Sequence, residues 1–294
     1  MPALMHEDLA LNFSCEGETL FGILSVPEHP LSRAILLIVG GPQYRVGSHR
    51  QFVQFARTLS TAGFPVLRFD YRGMGDSGGA QRHFESIDAD ICAAIDALQT
   101  ACPQAQEIVL WGLCDAASAA CMYAALDKRV KGLVLLNPWV RNTSSYARTL
   151  VKHYYGARLF DRTFWTKLMR GEVALVRALI ESSRTFLRAA MSRSQPSSRA
   201  DFQTRMLEGL RAFSGPVLLL MSGRDLTARE FDGLIAENNA WRDILHGSRC
   251  LRSDLNDADH TFSSAVWKKQ VEDQCIAWLQ SFNDGARPQS RGSE

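Results

Sequence analysis

A chain of 294 residues that is 46% apolar and 22% charged can bury a large core, which excludes an intrinsically disordered protein. Its 33 Lys and Arg against 31 Asp and Glu leave a net charge of +2, too little to imply a general attraction to nucleic acid. No apolar run approaches the roughly 18–20 residues of a transmembrane segment. Residues 1–13 lack the apolar stretch of a secretion signal, and the seven cysteines show no CxxC or metal-ligand spacing, so a reduced, cytoplasmic chain is expected.

Two strands are expected over Leu9–Cys15 and Thr19–Pro27, joined by the turn Glu16-Gly17-Glu18. Then follow a strand over Arg33–Gly41, a helix over Arg50–Ala62, a strand over Pro65–Asp70 and a helix over Phe84–Leu98. The next elements are a strand at Ile108–Leu113, an alanine-rich helix at Asp115–Leu126 and a strand at Gly132–Leu136. Strand–helix alternation with near-continuous apolar strands predicts an α/β protein whose mostly parallel sheet is covered on both faces.

Beyond Pro138 the alternation stops, and residues 141–213 carry only helical pattern: Tyr146–Tyr155, Arg162–Met169, Val173–Arg188 and Phe202–Ala212. A strand at Pro216–Met221, a helix at Phe231–Ala240 and a closing helix at Ala265–Phe282 complete the series. The expected organisation is a core of residues 1–140 and 214–282, an inserted helical cap of residues 141–213, and a polar, disordered tail of residues 283–294. No internal repeat is visible.

The chemistry-bearing signal is Trp111-Gly112-Leu113-Cys114-Asp115-Ala116, where a buried strand gives way to a helix. A nucleophile on so tight a turn needs small neighbours, G-x-Nu-x-G. Gly112 meets that need two residues before Cys114, whereas Ala116 stands where a second glycine is usual. The other six cysteines read as small buried hydrophobes. Ser118, a full turn inside the helix, is poorly placed to be the nucleophile.

Four more motifs follow the same chain logic. The strand ending at Val39 runs into Gly40-Gly41-Pro42-Gln43, and Asp70-Tyr71-Arg72-Gly73-Met74-Gly75-Asp76-Ser77 follows the next strand, with Asp70 and Arg72 read as a structural pair. Ser222-Gly223-Arg224-Asp225 follows the Pro216–Met221 strand, and Asp257-Ala258-Asp259-His260 precedes the closing helix. Asp254, Asp257 and Asp259 are nearer His260 in sequence than Asp225 is. Triad members meet across separate loops, however, and Asp225 ends a strand as Cys114 does. Helix N-capping is the plain alternative role for Asp225. His6, His29, His49, His83, His153 and His246 have no motif context.

These five ordered motifs resemble the α/β-hydrolase superfamily over residues 9–282, with Val39 where a histidine is usual and cysteine where serine is usual. The segments Gly40–Val46, Phe69–Ser77 and Gly112–Ser118 are more specifically similar to the exosortase A system-associated hydrolase 1 group of bacterial proteins, which implies a setting in exopolysaccharide and exosortase metabolism but no substrate. The resemblance implies an α/β-hydrolase fold, a mostly parallel doubly wound sheet with an inserted helical cap. It also implies a Cys114–His260–Asp225 triad acting on an ester, thioester or lactone, with backbone N–H groups of Gly41, Gln43 and Asp115 as the oxyanion hole. The helix N-terminus at Cys114 favours a thiolate, and the Asp115 carboxylate opposes it unless turned outward. An acyltransferase with the same triad and a non-catalytic binding protein of this fold remain open alternatives. No metal or nucleotide cofactor is indicated, since Gly73-Met74-Gly75 lacks a dinucleotide loop's third glycine.

Charge is unevenly spread. Residues 141–200 hold 12 Lys and Arg against 3 Asp and Glu, a net of +9, so the rest of the chain carries −7. With Tyr154, Tyr155 and Trp165 as candidate substrate contacts, such a cap can gather an anionic acyl substrate, or dock on an acidic partner or anionic membrane surface. A solvated helical face is the simpler reading. Oligomeric state is not legible.

Overall fold

A computed structural model of the chain describes residues 6–41, 43–141 and 202–281. The expected cap helices from Tyr146 to Arg188 and the tail lie outside the described residues. The chain divides into two units, residues 1–140 with 202–294 and residues 141–201, and the sheet belongs to the first.

The eight strands among the described residues are β1 (His6–Cys15), β2 (Glu18–Pro27), β3 (Arg33–Ile38), β4 (Val66–Asp70), β5 (Glu107–Leu113), β6 (Val130–Leu136), β7 (Val217–Ser222) and β8 (Cys250–Leu255). They form one sheet in the order β1-β2-β4-β3-β5-β6-β7-β8. β1 and β2 make an antiparallel hairpin whose second strand pairs antiparallel with β4, and every later pairing is parallel. The helices are α1 (Gln51–Thr61), α2 (Asp88–Ala101), α3 (Asp115–Tyr123), α4 (Phe202–Ala212), α5 (Leu226–Glu237), α6 (Asn239–Leu245) and α7 (Ala265–Ser281).

The unbroken apolar runs of the sequence are explained by two cores, one on each face of the sheet. Along β3, Ala34, Leu36 and Ile38 join the core that α2 and α3 cover, while Ile35 and Leu37 join the core beneath α1 and α7. β7 divides the same way, Val217, Leu219 and Met221 against Leu218 and Leu220. A strand apolar on both faces has no polar partner for water, so it sits mid-sheet, and the parallel strands deliver their carboxyl ends to a single edge.

Four expectations change. β8 was not anticipated: its sequence, Cys-Leu-Arg-Ser-Asp-Leu, has no apolar alternation, and it is an edge strand fixed by register with β7 and by Arg252 ion pairs to Asp232 and Asp254. The single helix expected at Phe231–Ala240 is two helices, divided at Asn238, whose side chain accepts the Ala240 N–H at 2.9 Å and so caps α6. The helix expected to start at Phe84 starts at Asp88, after a 3-10 turn over Phe84–Ser86. Finally α4, read in the sequence as the last part of the cap, packs on α3 with Met206 and Leu210 fully buried and stands in the same unit as the sheet.

Candidate active site

The carboxyl end of β5 turns abruptly into α3. Cys114 sits between them at φ 63° and ψ −124°, a conformation that costs a non-glycine residue about 1–3 kcal/mol. The surroundings hold it there: its N–H donates to Leu136 O at 2.9 Å, and its carbonyl accepts the Trp139 N–H at 3.2 Å. The turn requires glycine at 112, where a Cβ would lie 2.5 Å from the Ala116 carbonyl group. Ala116 itself is fully buried in the core, so the methyl at the departing position is accommodated. Ser118 is fully buried and its hydroxyl donates to Trp139 O at 2.6 Å, which removes it as a nucleophile.

His260 and Asp225 come to this edge from the turns after β8 and β7. The His260 Nδ1 lies 2.8 Å from Asp225 Oδ2, and the Cys114 thiol is near enough to the same ring to favour its charged form. These two partners push the imidazole up to about 10, the carboxylate contributing more, against the opposing effect of burial. Asp225 is also the N-cap of α5: its oxygens accept the N–H groups of Thr227 and Ala228, each at 3.1 Å. The helix-capping role and the histidine-orienting position are therefore held by one carboxylate.

The rival acids are engaged elsewhere. Asp259 turns back on its own loop and accepts from the N–H groups of Thr261 and Ser263 and from the Ser263 hydroxyl. Asp257 pairs with Arg224 at 2.7 Å and Asp254 with Arg252 at 2.7 Å, both at the surface.

Sequence reasoning missed Asn137. It is fully buried at φ 44° just past β6, a left-handed conformation that asparagine tolerates better than most residues. Its amide nitrogen donates to Ser222 Oγ at 2.8 Å and to His260 O at 3.0 Å, while its Oδ1 accepts the Ser222 N–H at 2.8 Å. Ser222 Oγ then donates to Asp259 O at 2.8 Å. Asn137 thus ties the end of β7 to the backbone of the histidine loop. An Asn-Pro pair directly after an apolar strand was the available signal.

The oxyanion loop departs from expectation. Gly41 and Gln43 line a cavity of about 440 Å³ together with Cys114, Asp115 and His260, and Pro42 lies outside the described residues. The Gly41 N–H is already engaged, donating to Asp115 Oδ2 at 2.9 Å. The Asp115 side chain is turned into the site rather than outward, and burial raises its carboxyl above the usual range even though the amides of Gly41, Ala116 and Asp115 itself pull the other way. His83, Phe84 and Trp139 also line the cavity, none of them singled out in the sequence. Tyr154, Tyr155, Trp165 and His153 lie outside the described residues. No group of three or more His, Cys, Asp or Glu among the described residues is placed to hold a metal ion.

The glycine-rich turn after β4 corrects one pairing. Asp70 does not meet Arg72. The fully buried Asp70 accepts the Arg45 N–H at 2.7 Å and pairs with the Arg45 guanidinium, while Arg72 reaches Asp90 at 2.7 Å and also Glu16. Residues two apart on this turn diverge, so each finds its partner on a different loop.

Comparison with known proteins adds a family. A sequence profile of the alpha/beta hydrolase fold matches residues 33–235. An uncharacterized protein of Pseudomonas aeruginosa, PA2218, is 32% identical over 124 residues, which are 40% of this chain and only 33% of that relative. The crystal structure of PA2218 superposes with a TM-score of 0.57 at 18% identity, covering 95% of this chain and 94% of that one. The Pyrococcus furiosus esterase Pf2001 gives 0.64 at 16% identity, over 95% and 94% of the two chains. The acylaminoacyl peptidase of Pyrococcus horikoshii gives 0.64 at 16% identity, over all of this chain and 44% of that one. At these identities the structures share the fold.

Proposed function

The chain belongs to the α/β-hydrolase fold family, and from that premise we propose that it is an acyl hydrolase that works through a Cys114–His260–Asp225 triad and a covalent acyl-cysteine intermediate. One observation carries this reading: Asp225 holds His260 Nδ1 at 2.8 Å, and the Cys114 thiol lies near enough to that imidazole to favour its charged form, on the strained turn between β5 and α3. Strain is maintained where it positions a reacting group, and a buried carboxylate on Nδ1 fixes an imidazole's tautomer and orientation.

In this mechanism His260 takes the thiol proton of Cys114, and the sulfur attacks the carbonyl carbon of an ester, thioester or lactone. The C–S bond forms as the carbonyl electron pair moves onto oxygen. Collapse of the tetrahedral intermediate expels the alkoxide or thiolate, which takes the proton from His260. Water then attacks the acyl-thioester, its proton passes to His260, and the C–S bond breaks to restore the thiol. Asp225 stabilises the imidazolium formed in both halves. The Asp115 N–H and the Gln43 N–H serve the oxyanion, and the Gly41 N–H serves it once Asp115 releases it.

The esterase named among the similar structures supports acyl-oxygen chemistry in this fold. The exosortase-associated setting is proposed from the resemblance of Gly40–Val46, Phe69–Ser77 and Gly112–Ser118 alone. A cytoplasmic location is proposed with it, on seven cysteines without a disulfide. No helix among the described residues is long and apolar enough to cross a membrane.

The deciding experiment follows p-nitrophenyl esters and acyl-thioesters, with and without amine or alcohol acceptors, in the wild type and in Cys114→Ala. The expected result is turnover with a transient acyl adduct on Cys114 by mass spectrometry, and loss of both turnover and iodoacetamide labelling in the variant. Cys121→Ala should lose neither, since Cys121 is fully buried and its thiol is pushed far up by burial. Normal activity in Cys114→Ala would overturn the assignment, and product formed only with an acceptor would make the protein an acyltransferase.

A further inference from the structure

Gly41 and Asp115 supply two amides to the expected oxyanion hole, and both act on one carboxyl. The Asp115 side chain accepts the Gly41 N–H at 2.9 Å through Oδ2, and the Asp115 N–H lies near enough to favour its ionised form. The other oxygen, Oδ1, is buried with no hydrogen-bond partner, and among the described residues Asp115 has no ion pair. The site is shaped for this side chain: a Cβ on Gly40 would stand 2.2 Å from Oδ1, so only glycine leaves room for it. A carboxyl enclosed this way, beside the nucleophile and lining the same cavity, is not a surface charge that happened to fold inward.

An amide N–H donates to one acceptor at full strength, and two anions about 3 Å apart repel strongly at low dielectric. Resting on the acyl-hydrolase reading above, we propose that Asp115 controls the oxyanion hole: with its carboxyl neutral, the Gly41 amide passes to the oxygen of the tetrahedral intermediate, and with it ionised, the amide stays with Asp115 and the oxyanion is repelled. No bond to Asp115 forms or breaks in this exchange. The carboxyl only changes hydrogen-bond partners.

The other titratable groups around Asp115 are Cys114 on the same turn, His260 on the loop after β8, Tyr71 after β4 and His83 at the cavity rim. The oxyanion loop itself contributes only Gly40, Gly41 and Gln43 there. Burial pushes the Tyr71 phenol up to about 12, with the Asp115 and Asp90 charges adding to that, so Tyr71 stays neutral through the working range. His260 and Cys114 are the reacting pair of the proposed mechanism, and their contribution must be separated from that of Asp115.

Iodoacetamide separates them, because alkylation of Cys114 needs the thiolate and makes no oxyanion, whereas ester acylation needs both. The test measures kcat/KM for a p-nitrophenyl ester and the alkylation rate across pH, in the wild type and in Asp115→Asn. The asparagine keeps an oxygen for the Gly41 N–H but cannot ionise. The ratio of kcat/KM in Asp115→Asn to that in wild type should rise at least about tenfold from about pH 5 to about pH 9, since one ionisation removes active enzyme tenfold per pH unit. Because the Asp115 charge also opposes the Cys114 thiolate, the alkylation rates of the two proteins are compared at each pH as well, and the rise in the kcat/KM ratio should exceed any rise in the alkylation ratio by about tenfold. In the wild type alone, ester acylation should fall behind alkylation on the alkaline side, a comparison that stands even if the variant does not fold. A constant ratio across pH, zero activity in both proteins included, overturns the proposal, as do coincident wild-type profiles. Should Cys114 resist alkylation and acylation altogether, the triad reading fails first.

Discussion

Two turns leave the same edge of the sheet, Asp70–Ser77 after β4 and Leu113–Ala116 after β5, and they treat their polar groups in opposite ways. In the first, the buried Asp70 meets the Arg45 guanidinium and two backbone amides, and the Ser77 hydroxyl donates to Asp70 O at 2.6 Å. Arg72 is paired with Asp90 and Glu16. In the second, a cysteine is held in a strained conformation, and the carboxyl beside it leaves one oxygen without a partner. Both turns come from buried strands and both depend on glycine, Gly73 and Gly75 within the first and Gly112 just before the second. Saturated hydrogen bonding marks the one that holds the fold, and leftover bonding capacity marks the one available for chemistry.

Several substitutions test that contrast, beginning where the effect is greatest. Asp225→Asn should reduce kcat by about 10³–10⁴-fold, because the imidazole loses the partner that sets its tautomer. Asp259→Asn, whose side chain serves only its own loop, should change kcat by less than about tenfold. Stopped-flow or steady-state ester kinetics read both, and a crippled Asp259→Asn would move the acid into the histidine loop. On the saturated turn, Arg72→Ala strands the fully buried Asp90 and should lower unfolding stability by about 3–5 kcal/mol in urea titrations. The folded fraction of that variant should keep a Cys114 alkylation rate close to wild type.

A smaller effect is expected from the site's own charge. His260 has its pKa raised from 6.5 to about 10 by Asp225 and Cys114, so its stabilising contribution is complete below about pH 6.5 and is lost as pH rises through about 10. Thermal melts across that window should fall more steeply for wild type than for His260→Ala. The smallest effect concerns residues 141–200. If their net charge of +9 captures substrate, kcat/KM for an anionic ester should fall between about 20 and about 500 mM salt while a neutral ester shows little change. Parallel salt profiles would leave that charge to solvation or docking.

Much of this arrangement is written locally in the chain. Gly112 and Cys114 at a strand–helix junction, Asp225 just past an apolar strand and His260 before the last helix each carry a short-range signature, and the apolar runs of β3, β5, β6 and β7 announce buried strands. What escaped reading depends on neighbours distant in sequence. β8 is a strand because β7 presents an open edge, not because its own residues alternate. Arg45 and Asp90 could be matched to Asp70 and Arg72 only once three loops were brought together. Asn137 needs both Ser222 and the His260 carbonyl to show its purpose. For Asp115 the residue was named for its backbone N–H, but a side-chain direction is set by rotamer and space, and the space came from a missing Cβ on Gly40.

The positive φ of Cys114 also limits which atoms this position can offer to a substrate over evolutionary time. At φ 63° a side chain branched at Cβ collides with its own backbone, so threonine is shut out although it carries a hydroxyl. Serine and cysteine both end in a single unbranched Oγ or Sγ, and either fits without rebuilding the turn. With Cys114 as the proposed nucleophile, this turn could therefore present oxygen or sulfur by the change of one atom, with the strand, the helix and the histidine loop left in place.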